Sequence, residues 1–208
     1  MAYKLKIEYE APAWSQIYDM LLHQAHQIQA DGYKPDIIIS VARGGVVPAR
    51  ILSDLLETKT LVFIQVEYYE SISQKKQKPK LKQSLTIQLT DKNALLVDDI
   101  SDSGTSLQLA KKHLKQHCVE ETKIATLYTK TASITKPDYY EKETDKWIVF
   151  PWDAKETVRK IIQKNKEKLS TKKDLTEFVK AGLPKQLVEE FLKEIQQEIE
   201  NDAVSKGI

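Results

Sequence analysis

The segment from Leu95 to Ser106 constrains this chain more than any other. Ala94, Leu95, Leu96 and Val97 form an apolar run with no polar face, the pattern of a strand buried on both sides of a parallel sheet. The run ends on two adjacent carboxylates, Asp98 and Asp99. A third, Asp102, opens a short loop of small hydroxyl residues around Gly104. A helical pattern follows at once, through about His117. The start of a helix offers free N–H groups and the positive end of a dipole. Gly104 permits close backbone approach, and Ser103, Thr105 and Ser106 add hydroxyl donors, so the loop suits a phosphate. Carboxylates beside such a loop would repel the anion unless they meet a metal or sugar hydroxyls. The combination points to a phosphorylated sugar held with Mg²⁺.

The rest of the chain reads as strands alternating with helices, which predicts a mostly parallel sheet with ligands at the strands' carboxyl ends. Ala11 to Ala30 reads as a helix with Trp14, Ile17, Tyr18, Leu21, Leu22, Ala25 and Ile28 on one face. Asp36 to Ser40 is a buried strand that leads into a glycine-containing loop and a helix through about Leu56. Leu61 to Val66, Leu85 to Leu89, Lys123 to Tyr128 and Trp147 to Phe150 are the other strand candidates. Tyr68 to Gln83 is rich in lysine, glutamine and serine, and is expected to be a long mobile loop. From Lys155 the composition becomes charged and helical. Thr171 to Asp174 fits a capping box, Gly182 a helix C′ position, and Pro184 the first turn of a last helix. That last helix carries Leu187, Val188, Phe191, Leu192, Ile195 and Ile199 on one stripe. The expected division is 1–153 for the α/β domain and 154–208 for a helical extension.

The string from Leu95 to Ser106 resembles the PRPP-binding signature of the type I phosphoribosyltransferases. Ser40, Val41, Ala42, Arg43, Gly44 and Gly45, after the first buried strand, are similar to that family's pyrophosphate loop. The resemblance covers roughly residues 1 to 153 and implies an α/β core with a small hood. It implies that Asp98 and Asp99 meet the ribose hydroxyls of PRPP, directly or through Mg²⁺, and that Asp102 faces the purine N7 as a proton acceptor. Ser103, Gly104, Thr105 and Ser106 would hold the 5′-phosphate, and Ala42, Arg43 and Gly44 the pyrophosphate. A non-proline cis peptide between Ala42 and Arg43 is expected. The loop at Tyr68 to Gln83 stands where the family's flexible loop closes over PRPP. Lys130 and the run from Trp147 to Asp153 resemble the purine hood of xanthine–guanine phosphoribosyltransferases. There a lysine meets the purine O6, a tryptophan covers the ring, and a carbonyl such as that of Ile148 accepts from a 2-amino group.

The implied substrates are PRPP and a free 6-oxopurine, guanine, hypoxanthine or xanthine, with Mg²⁺ as cofactor. The rivals are an adenine or pyrimidine phosphoribosyltransferase, or a PRPP-sensing regulator without catalysis. A net charge of +2 gives no bulk attraction to nucleic acid. The last helix, with Glu189, Glu190, Glu194, Glu198 and Glu200, is acidic, which argues against a DNA-binding module. Apolar runs fall short of the ~20 residues that span a bilayer, and Met1 to Glu10 lacks a signal-peptide core. The single Cys118 fits a reducing compartment. A cytoplasmic homodimer or larger homo-oligomer, with no membrane or nucleic-acid partner, is the expectation. The pairs His23 with His26 and His113 with His117 have helical spacing but no third ligand that completes a zinc site.

Overall fold

The computed structural model describes residues 8–71, 74–164 and 171–205. The N-terminal stretch from Met1 to Ile7 lies outside them, as do the side chains of the expected cap at Thr171 to Asp174. The chain forms two compact units, one of Ile17–Asp145 and one of Met1–Gln16 with Lys146–Ile208. The change of composition at Lys155 thus falls inside the second unit.

The first unit is built on a six-stranded sheet. Its strands are β2 (Ile37–Ala42), β3 (Leu61–Ser71), β4 (Gln74–Gln83), β5 (Asn93–Ser101), β6 (Glu121–Thr129) and β7 (Tyr139–Glu143), in the order β4-β3-β2-β5-β6-β7. All neighbours are parallel except the β3–β4 pair. The unit also holds α1 (Trp14–Ala30) from Ile17 onward, α2 (Val46–Leu55) and α3 (Thr105–Gln116). Burial is continuous along β2 from Ile37 to Val41, as both faces of a parallel sheet require. Ile37, Ile39 and Val41 pack with Leu96, Ile124 and, from α3, Leu107, Ala110 and Leu114. Residue alternation along a strand turns Ile38 and Ser40 to the other face. There α1 is tied down by a hydrogen bond from Gln24 Nε2 to the Thr126 carbonyl at 2.6 Å.

Three expectations need correction here, and one strand, β7, matches no candidate read from the sequence. The stretch from Tyr68 to Gln83 is no long loop: β3 and β4 pair antiparallel, with Val66 opposite Leu81 and Tyr68 opposite Pro79. A polar segment can do this because backbone hydrogen bonds need no apolar side chains. At a sheet edge, lysines and a proline are tolerated. Leu85 to Leu89 is irregular rather than a strand, yet Leu85 and Leu89 are buried in the core. β7 lies in a connection whose composition is polar. On α1 the buried face is Ile17, Met20, Leu21, Gln24, Ala25 and Ile28, while Trp14, Tyr18 and Leu22 face outward.

The second unit pairs β1 (Tyr9–Glu10) in parallel with β8 (Trp147–Ile148), so the run from Trp147 forms a two-stranded sheet of its own. Its helices are α4 (Ala154–Lys164), α5 (Thr171–Ala181) and α6 (Lys185–Ser205). Ala11, Val149, Val158, Phe178, Leu183, Val188 and Ile195 make its core, with Phe191, Leu192 and Ile199 packed against it. At the end of α5, Gly182 N–H donates to the Val179 carbonyl and Leu183 N–H to that of Phe178, a Schellman closure. Gly182 has φ of 122°, and a Cβ there would stand 2.5 Å from the Ala11 carbonyl. The Pro184 carbonyl accepts from Val188 N–H, so Pro184 precedes the first turn of α6 rather than standing in it. Among the described residues, no helix is long and apolar enough to cross a membrane.

Candidate active site

The chain leaves β2 toward β3 on one side and leaves β5 toward β6 on the other, although β2 and β5 are neighbours. Such a reversal opens a crevice at the carboxyl ends of the two strands. Ser40 lies opposite Val97, so Ala42 and Asp99 each fall two residues beyond the same register point. The two loops singled out in the sequence therefore begin side by side.

Contact between them depends on glycine. A Cβ on Gly44 would stand 2.6 Å from Asp99 Cγ, and one on Gly45 would stand 2.9 Å from Asp98 Cα. The missing side chains let the Arg43 loop rest directly on the acidic strand end. The Ala42–Arg43 peptide is cis, as the resemblance implies. Gly45 N–H returns to the Val41 carbonyl at 2.9 Å, and the exposed Arg43 opens the approach to α2.

Asp99 is nearly buried, and Asp98 Oδ1 accepts from Asp99 N–H at 3.0 Å. Burial, then the charge of Asp99, pushes the Asp98 carboxyl well above the usual carboxylate range. Backbone N–H groups of Asp99 and Gly45 offset this in part. Two crowded carboxylates of this kind suit a hard cation with oxygen ligands. Among the described residues no group of three or more His, Cys, Asp or Glu could hold a metal by itself. Mg²⁺ asks for less, since it is commonly held by one or two carboxylates together with substrate phosphates. The donor set fits that ion.

Asp102 is exposed at the mouth of the next loop. Gly104, at φ 77°, caps α3, and the loop's hydroxyls form a chain: Ser103 Oγ to Thr105 Oγ1 at 2.8 Å, and Thr105 Oγ1 to Tyr68 Oη at 3.0 Å. Tyr68 Oη also meets Ser106 Oγ at 2.6 Å. Tyr68 carries no motif, and only the pairing of β3 brings it here. Behind the loop lies the turn after β6, with Ser133 and Thr135, which the sequence reading also passed over. Lys130 opens that turn, its N–H donating to the Ser101 carbonyl at 3.0 Å. Asp98, Asp99, Asp102, the residues from Ser103 to Ser106, the Arg43 loop and Lys130 are all in the Ile17–Asp145 unit. Trp147, half-exposed, and Ile148, buried, belong to the other.

A model of the phosphoribosyl transferase domain matches residues 9–158. Over 151 residues the chain is 32% identical to a xanthine-guanine phosphoribosyltransferase of Cereibacter sphaeroides, covering 68% of this chain and 84% of that protein. It is 27% identical over 183 residues to a hypoxanthine-guanine phosphoribosyltransferase of Schizosaccharomyces pombe, covering 69% and 88%. Among solved structures it is similar to a purine phosphoribosyltransferase from Pyrococcus horikoshii, with a TM-score of 0.65 and 36% identity over 70% of this chain and 94% of that one.

Proposed function

The chain belongs to the phosphoribosyl transferase family, and from that premise we propose that it is a purine-salvage enzyme moving 5-phosphoribosyl from PRPP to a 6-oxopurine base. The products are the nucleoside 5′-monophosphate and pyrophosphate. The observation that carries the reading is the paired loops at the β2–β5 crevice, one resting on the acids of the other through Gly44 and Gly45.

In this reading the residues from Ser103 to Ser106 and the start of α3 grip the 5′-phosphate. Asp98 and Asp99 hold the ribose hydroxyls, and their negative charge stabilises the cationic ribose carbon as its bond to pyrophosphate breaks. Ala42, Arg43 and Gly44 bind the leaving pyrophosphate, with the Arg43 guanidinium as a bidentate donor. Asp102 accepts the proton from the purine N7 as the new bond to ribose C1 forms. Asp98 and Asp99 would also be the protein's contribution to Mg²⁺, which when bound neutralises charge on the pyrophosphate.

Lys130 reads the purine O6. An ammonium donates to a 6-oxo group and leaves a desolvated, unpaired charge opposite the amino group of adenine. The test is to incubate the protein with PRPP, Mg²⁺ and a panel of free bases, and to read the nucleotide formed. Guanine, hypoxanthine or xanthine should be used well ahead of adenine. Lys130→Ala should narrow that kcat/KM ratio about tenfold or more, the worth of a charge-assisted hydrogen bond. A wild-type preference for adenine would overturn the base assignment, and absence of transfer to any base would overturn the enzyme.

A further inference from the structure

Apart from Lys130, the turn that follows β6 has no role in the chemistry above, yet it takes hold of carbonyls at the end of β5 and in the phosphate loop. Lys130 N–H donates to the Ser101 carbonyl at 3.0 Å, and Ile134 N–H to that of Ser103 at 3.2 Å. Thr135 Oγ1 donates to the Gly104 carbonyl at 2.8 Å. From the other side, Ser101 Oγ donates to the Thr135 carbonyl at 2.7 Å and lies 2.8 Å from Ser133 Oγ. Gly104 O also accepts from Gln108 N–H at 3.0 Å, the opening bond of α3, so Thr135 uses its second lone pair. The two segments can come this close because Gly104 has no side chain. A Cβ there would stand 2.5 Å from Thr135 N and 2.6 Å from Ser133 Oγ.

In a trans peptide the carbonyl of one residue and the N–H of the next point in opposite directions. Carbonyls of Ser101, Ser103 and Gly104 turned toward this clip therefore aim the N–H groups of Asp102, Gly104 and Thr105 away from it. That is how a loop becomes a set of convergent donors for an anion. We infer that Thr135, supported by Ser133, is a positioning residue for recognition of the pentose 5′-phosphate. It orients the loop's amides without touching the phosphate. Through the backbone of Lys130, the same turn keeps the base-reading lysine in register with the phosphate grip. The inference rests on the reading of Ser103 to Ser106 as the 5′-phosphate site.

Thr135→Val keeps the shape and removes the donor, whereas Thr135→Ser keeps the donor. Calorimetric titration with ribose 5-phosphate and, separately, with inorganic pyrophosphate in the presence of Mg²⁺ reads the two anion sites apart. Thr135→Val should weaken ribose 5-phosphate about five- to tenfold and leave pyrophosphate within about twofold, as loss of one oriented hydrogen bond implies. Thr135→Ser should restore wild-type affinity. In the transfer assay KM for PRPP should rise by the same factor while kcat stays within about twofold. Should Thr135→Val fail to fold, Ser133→Ala gives the same comparison, with a weakening of about two- to threefold expected. Equal weakening of both probes, an unchanged affinity for ribose 5-phosphate, or no rescue by serine would overturn the inference. A wild-type chain that binds ribose 5-phosphate but transfers phosphoribosyl from PRPP to no base would overturn the proposed enzyme and leave the positioning role standing. A wild-type chain that does not bind ribose 5-phosphate would overturn both.

Discussion

The loops after β2 and β5 both follow buried parallel strands and both lead into a helix, but they are held in different ways. The Arg43 loop is held by what it lacks. Gly44 and Gly45 have no side chains, so the backbone presses on Asp98 and Asp99, two crowded carboxyl groups. The loop from Asp102 to Ser106 is held by what surrounds it, namely α3, the turn at Ser133 to Thr135, and the Tyr68 hydroxyl. Its environment is made of N–H and O–H donors. A loop that rests on carboxylates needs a counter-charge before it can accept an anion, while a loop of oriented donors is ready for one. The two ends of one doubly phosphorylated sugar would thus be recognised by different physics.

Metal removal should give the largest contrast. Unit like charges 4 Å apart repel by ~4 kcal/mol at an effective dielectric of 20, so pyrophosphate beside Asp98 and Asp99 requires a cation. In excess EDTA, transfer should fall to background and pyrophosphate binding should be lost, whereas ribose 5-phosphate should still bind. Full activity in EDTA would erase the distinction between the loops. Asp102→Asn comes next. Turnover should fall ~10²–10⁴-fold, the usual worth of a positioned acid or base, with PRPP binding kept. Unchanged turnover at saturating substrate would remove Asp102 from the chemistry.

Alanine at either glycine separates the loops by mechanism. Gly44→Ala places a methyl group against the Asp99 carboxylate and should weaken pyrophosphate about tenfold or more, at ~1.4 kcal/mol per factor of ten. Gly104→Ala forces a left-handed residue, costing ~1–2 kcal/mol, and drives a methyl into the Thr135 clip. It should lower the melting temperature by several degrees and weaken ribose 5-phosphate rather than pyrophosphate. If each variant weakened both probes alike, the loops would be one site energetically.

The smallest effect expected lies away from both loops, on α3. His113 Nε2 accepts from Leu85 N–H at 3.3 Å, and its ring stands edge-on to His117 at 4.6 Å. Burial, then the neighbouring His117, holds His113 below the ordinary histidine value, with Gln116 opposing. The unfolded chain therefore takes up a proton at a higher pH than the folded one. Stability that is full above about pH 6.5 should fall as pH drops through the folded value. Melting curves from pH 8 to 5 should show this slope, and His113→Gln should flatten it without changing affinity for either anion. An unaltered slope would assign the pH dependence to other groups.

Much of the site was legible because its signals are local. An apolar run, three carboxylates, a glycine and hydroxyls before a helix lie within one short stretch, and each acts through its own backbone. The Arg43, Gly44 and Gly45 loop had the same quality, and so did the α5–α6 boundary at Gly182. What the sequence could not place was everything that depends on a distant partner. The pairing of β3 with β4 is made by backbone groups, which every residue except proline carries in full, so a lysine-rich stretch gave no sign of it. Leu85 and Leu89 alternate like a strand, but burial alone satisfies them, and no ladder forms. Trp14, Tyr18 and Leu22 share a helical face with residues that are buried, and the packing of the sheet decided which part of that face is covered. Tyr68, Ser133 and Thr135 are ordinary residues in sequence. They matter because strand order carries them to the mouth and the back of the loop from Asp102 to Ser106. By itself the sequence determined where the two loops lie and which side chains they carry, since those follow from neighbouring residues. The partners that hold the loops in shape were decided by the tertiary structure alone, because a hydrogen bond across the sheet leaves no trace in the spacing of either residue that makes it.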